Sequence, residues 1–377
     1  MKRIASIDAL RGFDMFWIMG MEELVAIVAG LCGCPSFEKL FGHVPWNGLH
    51  FMDTVFPTFL FLAGATFPFS AASNQEKGMS RGKVALRVLK RGLLLMLLGL
   101  AYNGLFRNGN WATFRIPSVL GYIGFGWMAA AWIYLMVRNV WVRVALAVGI
   151  LSVVTLFFGH VLAPDVSAVV VPEGMKDLAA LGNGPFTPLG NFGCYLDRTI
   201  LGRHSLTPLF DNEGFAGLLP TIVTAMLGMF AGEIIRASGS QTTGGKALSL
   251  LACGAACLVF GLFLSVFCPV VKKLWSPSFV LVAGGYSFLM LAFFYWIVDV
   301  RKKTGWCFFF RVIGMNSITI YMARRIIDFG GVSRFFLGGI ASLLPGAWGK
   351  LILALGSVAA CWLFLFFLHR KNVYLKI

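Results

Sequence analysis

The sequence predicts an all-α membrane protein, a polytopic bundle of transmembrane helices. Of its 377 residues, 58% are hydrophobic and only 13% are charged, and the mean hydropathy is +0.80. No soluble core of this size could bury so much apolar surface. The apolar residues form runs long enough to cross the hydrocarbon core of a bilayer as helices. We therefore predict about ten spans in a single transmembrane domain over residues 1–377, with the lipid bilayer around it.

The net charge of +16 would suggest a nucleic-acid partner in a soluble chain. Here most basic residues fall in short loops between predicted spans, where Lys and Arg set the orientation of a membrane protein. We therefore exclude nucleic acid as a partner. The same charge bias predicts that both termini lie on the cytoplasmic side.

The first predicted span follows the short basic stretch 1–11. Asp14, Glu22 and Glu23 interrupt its apolar run and no small-residue cleavage site follows, so we predict a retained span rather than a signal peptide. An acid at membrane depth needs a partner or a wet cavity. Glu22 is therefore a candidate catalytic residue.

The second predicted span covers about 53–72, and a basic loop on the cytoplasmic side follows it. That loop contains Lys77, Arg81, Lys83, Arg87, Lys90 and Arg91. Further spans are predicted at about 91–106, 117–137, 141–161, 215–235, 247–267, 278–299, 308–323 and 350–369. The Gly-rich piece 324–349 is too interrupted for a clean span, which predicts a re-entrant or interfacial segment.

The longest connection, 163–214, is rich in Gly, Pro and Asn and carries more charged groups than a connector requires. We predict a cap over the outer face, the alternative being a solvated linker. Cys32, Cys34 and Cys194 permit a disulfide without fixing its pairing. The five histidines are scattered without ligand spacing, so no metal site is predicted.

Titratable groups occur where the second span begins. His43 lies in a polar turn with Trp46 and Asn47, and Asp53 follows at the start of the apolar run. An imidazole can accept a proton at neutral pH, and Asp53 or Glu22 could orient it, so His43 is the candidate general base. The alternative is an interfacial aromatic belt with Asp53 as a helix cap.

The string HVPWNGLHFMDTVFP, residues 43–57, resembles the H-x-x-W-N-G-x-x-x-x-D-x-V-F-P signature of the heparan-α-glucosaminide N-acetyltransferase family. Four further strings match that family in order, so the resemblance spans nearly the whole chain. They are SIDALRGF (6–13), RIPSVL (115–120), GCYLDRTILGRH through DNEG (193–214) and GMNSITIY (314–321).

The resemblance implies transfer of acetyl from cytosolic acetyl-CoA to the amine of a glucosamine-type sugar on the extracytoplasmic side, without a metal. It gives His43 the catalytic role, as general base or acetyl carrier, with Asp53 beside it. The residues expected to line the sugar site are Trp46, Asn47, Asp211, Glu213 and Asn316. The candidates to bind coenzyme A are Arg115, Lys90 and Arg91, although basic groups on the inner side could also serve only to orient helices.

Some positions depart from the family pattern. Glu22 stands where the lysosomal enzyme has an asparagine, Gly121 and Tyr122 follow RIPSVL, and DNEG replaces DPEG. No large domain precedes the first span, so the chain resembles the bacterial branch, which implies the inner (plasma) membrane. A proton-coupled transporter or flippase, and an O-acyltransferase of a cell-envelope glycan, remain alternatives, and a homodimer is one assembly compatible with the sequence.

Overall fold

The computed structural model describes residues 4–106, 111–237 and 242–375, which contain α-helices and no β-strand. The all-α class is therefore confirmed in the described part of the chain. The α-helices are α1 (Ala5–Phe16), α2 (Glu22–Leu31), α3 (Pro35–Phe41), α4 (Phe51–Glu76), α5 (Arg81–Tyr102), α6 (Val119–Met136), α7 (Val140–His160), α8 (Lys176–Ala179), α9 (Phe192–Leu196), α10 (Leu218–Arg236), α11 (Thr243–Leu264), α12 (Pro277–Tyr295), α13 (Phe308–Met315), α14 (Ser317–Ile326), α15 (Phe329–Ser342) and α16 (Gly346–Arg370).

Seven helical segments in the described residues are long and apolar enough to cross a bilayer. They are α4, α6, α7, α10 with the preceding turn, α11, α12 with its continuation to Val300, and α16. The structure thus supports a polytopic membrane protein. The count of about ten spans, the position of the termini and the single domain stay predictions.

The three remaining predicted spans are also helical, but each is broken or charged. The first comprises α1 and α2, joined by a π-helical turn at Trp17–Met21 in which Gly20 has φ of 133°. The span predicted at 308–323 is divided into α13 and α14 at Asn316. The basic residues predicted to form a loop before residue 91 instead begin α5 at Arg81, because Val84 and Val88 already pack in the core.

Residues 329–342 form α15, which is about 21 Å long at 1.5 Å per residue and so too short to cross the hydrocarbon core. It packs antiparallel to α16, where Ser333 donates a hydrogen bond of 2.7 Å to the carbonyl of Leu353. Its outer side exposes Phe335, Phe336 and Ile340. The re-entrant or interfacial assignment of 324–349 stays a prediction.

Helices α4, α6, α10 and α12 run parallel to one another and form the core. Gly228 of α10 lies so close to α4 that an added Cβ would stand 1.9 Å from the Phe61 carbonyl oxygen. Thr58 of α4 and Ser287 of α12 share a hydrogen bond of 2.9 Å. All four helices therefore begin at the same end of the molecule, which we call the histidine end; the opposite end, where α4 ends and α5 starts at Arg81, is the basic end.

The connection 163–214, named here the cap loop, is folded against the histidine end. Arg198 pairs with Asp165 at 2.6 Å and donates to the carbonyls of Leu189 and Leu209, which closes the loop on itself. Trp46 donates its indole N–H to the Phe186 carbonyl at 2.8 Å. One buried apolar cluster joins the cap loop to the turn before α4 and the connection before α12: Trp46, Leu189, Cys194, Leu209, Phe210, Val271 and Leu274.

Candidate functional site

His43 and Asp53 form a hydrogen-bonded pair at the start of α4. The distance from His43 Nδ1 to Asp53 Oδ1 is 2.7 Å, and the second carboxylate oxygen accepts the backbone N–H groups of Val44 and His50 at 3.2 and 3.1 Å. The Asp53 side chain is 2% exposed, whereas that of His43 is 52% exposed. Asp53 thus closes the turn that carries His43 and orients its ring. No hydrogen bond from the described residues engages Nε2.

Lys272 completes this cluster. Its ammonium lies 3.1 Å from Asp53 Oδ1 and 3.3 Å from His43 Nδ1. The connection that carries Lys272 is held beside the turn by a hydrogen bond of 2.8 Å from Gly48 N to the Val270 carbonyl. Sequence reasoning missed Lys272. A signal was present in the sequence: Lys272 and Lys273 are adjacent lysines at the predicted outer end, where the charge bias predicts few basic residues.

Trp46 and Asn47, both expected to line the sugar site, differ in exposure. Trp46 is 5% exposed and packs edge-on against Phe210, with ring centroids 4.9 Å apart. The Lys273 ammonium lies over both rings and donates to the Pro45 carbonyl. Asn47 is exposed, and its backbone forms an isolated bridge with Val271. Trp46 therefore anchors the turn, and Asn47 is the member able to meet a ligand.

A second cluster at this end contains three carboxylates and one guanidinium. Arg115 binds Asp211, with Nε to Oδ2 at 2.9 Å, and also Glu213. Asp197 lies beneath them and accepts the N–H groups of Asp211 and Phe215 at 3.0 and 2.8 Å. Asp211 and Glu213 thus lie together, and their lining of a sugar site stays a prediction. Arg115, a candidate to bind coenzyme A, is occupied by both carboxylates.

Two carboxylates of this cluster, Asp197 and Glu213, have raised pKa values. Burial raises the pKa of Asp197 to about 7, although two backbone N–H groups oppose the rise. Burial also raises the pKa of Glu213, with Arg115 and Lys272 acting in the opposite direction. Burial alone would lower the pKa of Arg115, but its bonds with Asp211 and Glu213 hold it above the usual value. Lys272 therefore interacts electrostatically with Glu213 as well as with Asp53.

Glu22 is half-buried in the first turn of α2, and no described residue forms a hydrogen bond or ion pair with it. The structure therefore does not bring Glu22 into contact with His43. Asp14, in α1, is 2% exposed, and its Oδ2 atom is buried without a hydrogen-bond partner among the described residues.

A cavity of about 580 Å³ occupies the basic end and extends into the core between α1, α4, α5, α6 and α14. Arg11, Lys77 and Arg91 line it, and Arg91 lies 4.4 Å from the ring centroid of Trp127. Asn316 also lines this cavity, at the break between α13 and α14. Lys90 is exposed and does not line it. Of the groups expected to bind coenzyme A, only Arg91 lies here.

The cavity approaches the histidine site without joining it. Along α4 it extends from Lys77 to Phe59, about 27 Å at 1.5 Å per residue. By the same rise, Phe59 is about 9 Å along the helix axis from Asp53. A small apolar cavity of about 30 Å³ continues from Phe59 to Phe56 and Tyr321. A short apolar barrier therefore separates the two polar regions.

Neither a metal centre nor a disulfide is formed by the described residues. No group of three His, Cys, Asp or Glu side chains converges there as a metal ligand set would. All eight cysteines are unpaired, with Cys32 and Cys34 exposed and Cys194 buried.

Comparison with known proteins gives two clear relatives. No protein-family model matches the chain. The chain is 30% identical over 374 residues to the heparan-α-glucosaminide N-acetyltransferase of Mus musculus and 27% identical over 375 residues to that of Homo sapiens. Both alignments cover 86% of this chain but 55% and 53% of the relatives, so the chain spans about half the length of the curated relatives it matches. Over most of its own length, the chain is therefore a distant homologue of mouse and human heparan-α-glucosaminide N-acetyltransferases.

Proposed function

We propose that the protein is a membrane-embedded acetyltransferase that moves acetyl from acetyl-CoA to the amine of a glucosamine-type sugar. The observation that carries this proposal is the His43–Asp53 pair at the histidine end, opposite a basic cavity that penetrates the core. The similarity to two N-acetyltransferases supports the same reaction class.

His43 is the group suited to proton transfer. With Nδ1–H donated to Asp53, the other ring nitrogen is an acceptor for a proton of the attacking amine. The amine nitrogen forms a bond to the acetyl carbonyl carbon, and His43 takes up the proton that the nitrogen loses. The carbon–sulfur bond breaks, and His43 returns that proton to the departing thiolate, so coenzyme A leaves as its thiol. In a two-step variant, the imidazole nitrogen forms the bond to the acetyl carbon while the carbon–sulfur bond breaks and coenzyme A leaves as its thiolate. The amine then takes the acetyl group from the imidazole, and the proton that it loses neutralises the thiolate.

The basic-end cavity is the proposed entry for acetyl-CoA. Arg11, Lys77 and Arg91 would bind its phosphates, and its thioester arm would follow α4 towards Phe59. To reach His43, the arm must displace the apolar barrier at Phe56 and Tyr321. Asn316 would then contact the donor rather than the sugar.

The histidine end is the proposed acceptor side. Asp211 and Glu213, held beside each other by Arg115, would supply the carboxylates that attract an amino sugar to this end. Glu22 has no proposed role in this scheme, because it has no contact with His43 in the described residues. We further propose that the basic end is cytoplasmic, as the positive-inside rule favours, in a bacterial inner membrane.

The test is transfer of labelled acetyl from acetyl-CoA to glucosamine by purified protein in detergent. His43→Ala should lower the rate by a factor of about 10² to 10⁴, the usual contribution of a general base. His160→Ala is the matched control, because His160 is exposed at the end of α7 and bonds only its own helix. An unchanged rate in His43→Ala would contradict the proposal. Parallel assays with glucose distinguish N-acetylation from O-acylation.

A transporter is the second candidate, favoured by the break of α13 and α14 at Asn316 beside the cavity. Broken helices around a central cavity are common in transporters. Uptake of an amino sugar into proteoliposomes without any acetylated product would support the transporter, whereas stoichiometric release of free coenzyme A thiol with product would support the enzyme.

A further inference from the structure

Lys272 makes an unusual contact with the His43–Asp53 pair. Its ammonium lies beside the same ring nitrogen, His43 Nδ1, that forms the hydrogen bond with Asp53. Lys272 Nζ lies 3.3 Å from His43 Nδ1, and both atoms lie against Asp53 Oδ1. An ammonium only donates hydrogen bonds. The carboxylate oxygen is therefore the shared acceptor, and the proton on Nδ1 and the ammonium point towards it side by side.

This arrangement disfavours a second proton on the ring. An imidazolium would place two positive charges within hydrogen-bonding distance, with one carboxylate oxygen to share between them. Asp53 alone would favour the imidazolium, as carboxylates beside histidines do. Lys272 offsets that attraction while leaving the orientation of the ring unchanged.

The neighbouring charged groups agree with this role. Besides Asp53 and Lys272 themselves, the adjoining segments carry His50, whose backbone N–H binds Asp53, and Lys273, which interacts electrostatically with Asp53 and Lys272. Glu213 of the cap loop interacts electrostatically with Lys272. Lys273 donates to the Pro45 carbonyl and lies over aromatic rings, so it anchors the turn instead of touching the imidazole. Lys272 has a side chain only 22% exposed, which limits screening by solvent.

We propose that Lys272 is a positioning residue that keeps His43 neutral, with its proton on Nδ1 and its Nε2 ready to accept a proton from the acceptor amine. The role of Nε2 as proton acceptor rests on the proposed function. The protonation state of His43 can be measured without any acetyl transfer.

The experiment follows the reaction of His43 with diethyl pyrocarbonate, which carbethoxylates neutral imidazole, in purified full-length protein from pH 5 to 8. Tandem mass spectrometry, with fragmentation of the chain between His43 and His50, distinguishes carbethoxylation of the two histidines. In Lys272→Met and Lys272→Gln, half-maximal reactivity should move to a higher pH by about one unit, the effect expected from removing a charge at this distance. Lys272→Arg should restore the wild-type profile.

Lys272→Gln keeps an N–H donor for Asp53 while removing the charge, so it separates electrostatics from simple loss of a contact. Lys176→Met is the matched charge control, because Lys176 pairs only with the exposed Glu173 on the cap loop. Its profile should equal that of the wild type. A profile unchanged in both Lys272→Gln and Lys272→Met would overturn the inference, as would failure of Lys272→Arg to restore it.

The acetyltransferase assay separates this inference from the proposed function. If the wild type transfers acetyl, the acid limb of its pH–rate profile should also move to higher pH in Lys272→Gln, with the same rescue by arginine. If the wild type transfers no acetyl but the carbethoxylation profile still shifts, the proposed function fails and the role of Lys272 stands. A transfer-competent wild type with no shift in either profile rejects the role of Lys272 alone.

Discussion

Arg115 holds together two carboxylates that the surrounding structure buries. Its side chain is 22% exposed, while those of Asp211 and Glu213 are 0% and 10% exposed. A buried charge is tolerated only when it is paired, and removing one partner leaves the other uncompensated. At the scale of single residues, therefore, the histidine end depends on a few cations placed between carboxylates.

Arg115→Met should destabilise the protein strongly. Two buried carboxylates would lose their counter-ion, at a cost of about 3–5 kcal/mol. Thermal melting in detergent should show a clear drop in Tm, compared with almost none for Lys176→Met, whose ion pair is exposed. An unchanged Tm together with a raised KM for acetyl-CoA would instead support coenzyme A binding by Arg115.

Asp197 should make the cap loop sensitive to pH. Burial raises its pKa from 3.8 to about 7, so the folded protein retains a proton that the unfolded chain releases. The stabilisation that the protonated Asp197 side chain contributes to the folded state is therefore fully present below about pH 4. It is lost as the pH rises through about 7. Limited proteolysis of the cap loop should accelerate over that interval. In Asp197→Asn the dependence should flatten; a slope equal to that of the wild type would assign the effect to another group.

Helix α4 is the element that relates the two polar regions. Its first turn carries Asp53, and its later turns line the basic-end cavity from Phe59 to Lys77. Small residues let α10 approach it closely, as in many membrane helix pairs. The position of the histidine end thus depends on contacts made deep in the core.

Gly228→Ala should separate α4 from α10. The new Cβ would stand 1.9 Å from the Phe61 carbonyl oxygen, a backbone atom that cannot rotate away, so a loss of about 1–3 kcal/mol is expected. Gly149→Ala in α7 meets no atom within 4 Å and should be neutral or slightly stabilising. Thermal melting of both variants is the measurement; equal melting temperatures would show that the helices can part without cost.

The molecule as a whole is polarised along the direction of its parallel core helices. Four helix N-termini meet at the histidine end, and their partial positive charge favours the carboxylates gathered there. The opposite end carries the basic start of α5 and the cavity with Arg11, Lys77 and Arg91. This polarity suits a reaction whose anionic donor and cationic acceptor arrive from opposite sides.

The orientation can be tested with cysteines. Cys32 and Cys34 are exposed at the histidine end, so an impermeant maleimide should label them in intact cells. In a Cys32→Ser, Cys34→Ser background, Lys83→Cys at the basic end should react only after the membrane is permeabilised. The reverse labelling pattern would place the basic end outside and contradict the charge rule.

The sequence predicted the helical class from apolar runs that are long enough to cross a bilayer. In lipid, such a run forms a helix because a helix satisfies its backbone hydrogen bonds internally. It predicted less well where charge interrupts a run, so the start of α5 was placed ten residues late, beyond Val84 and Val88. The start of such a helix is indicated by helical periodicity, with one buried side and one charged side, and not by mean hydropathy.

The sequence by itself made His43 a candidate base with Asp53 or Glu22 as its partner acid, and Asp53 is only ten residues away along the chain. The structure selects Asp53, because the first turn of α4 places its carboxylate against the His43 ring. Tertiary structure alone decided that Lys272 joins that pair, that Arg115 serves Asp211 and Glu213, and that Asn316 lines the basic-end cavity. Those contacts join residues far apart in the chain, and their distances are set by how the helices pack, which local sequence does not specify.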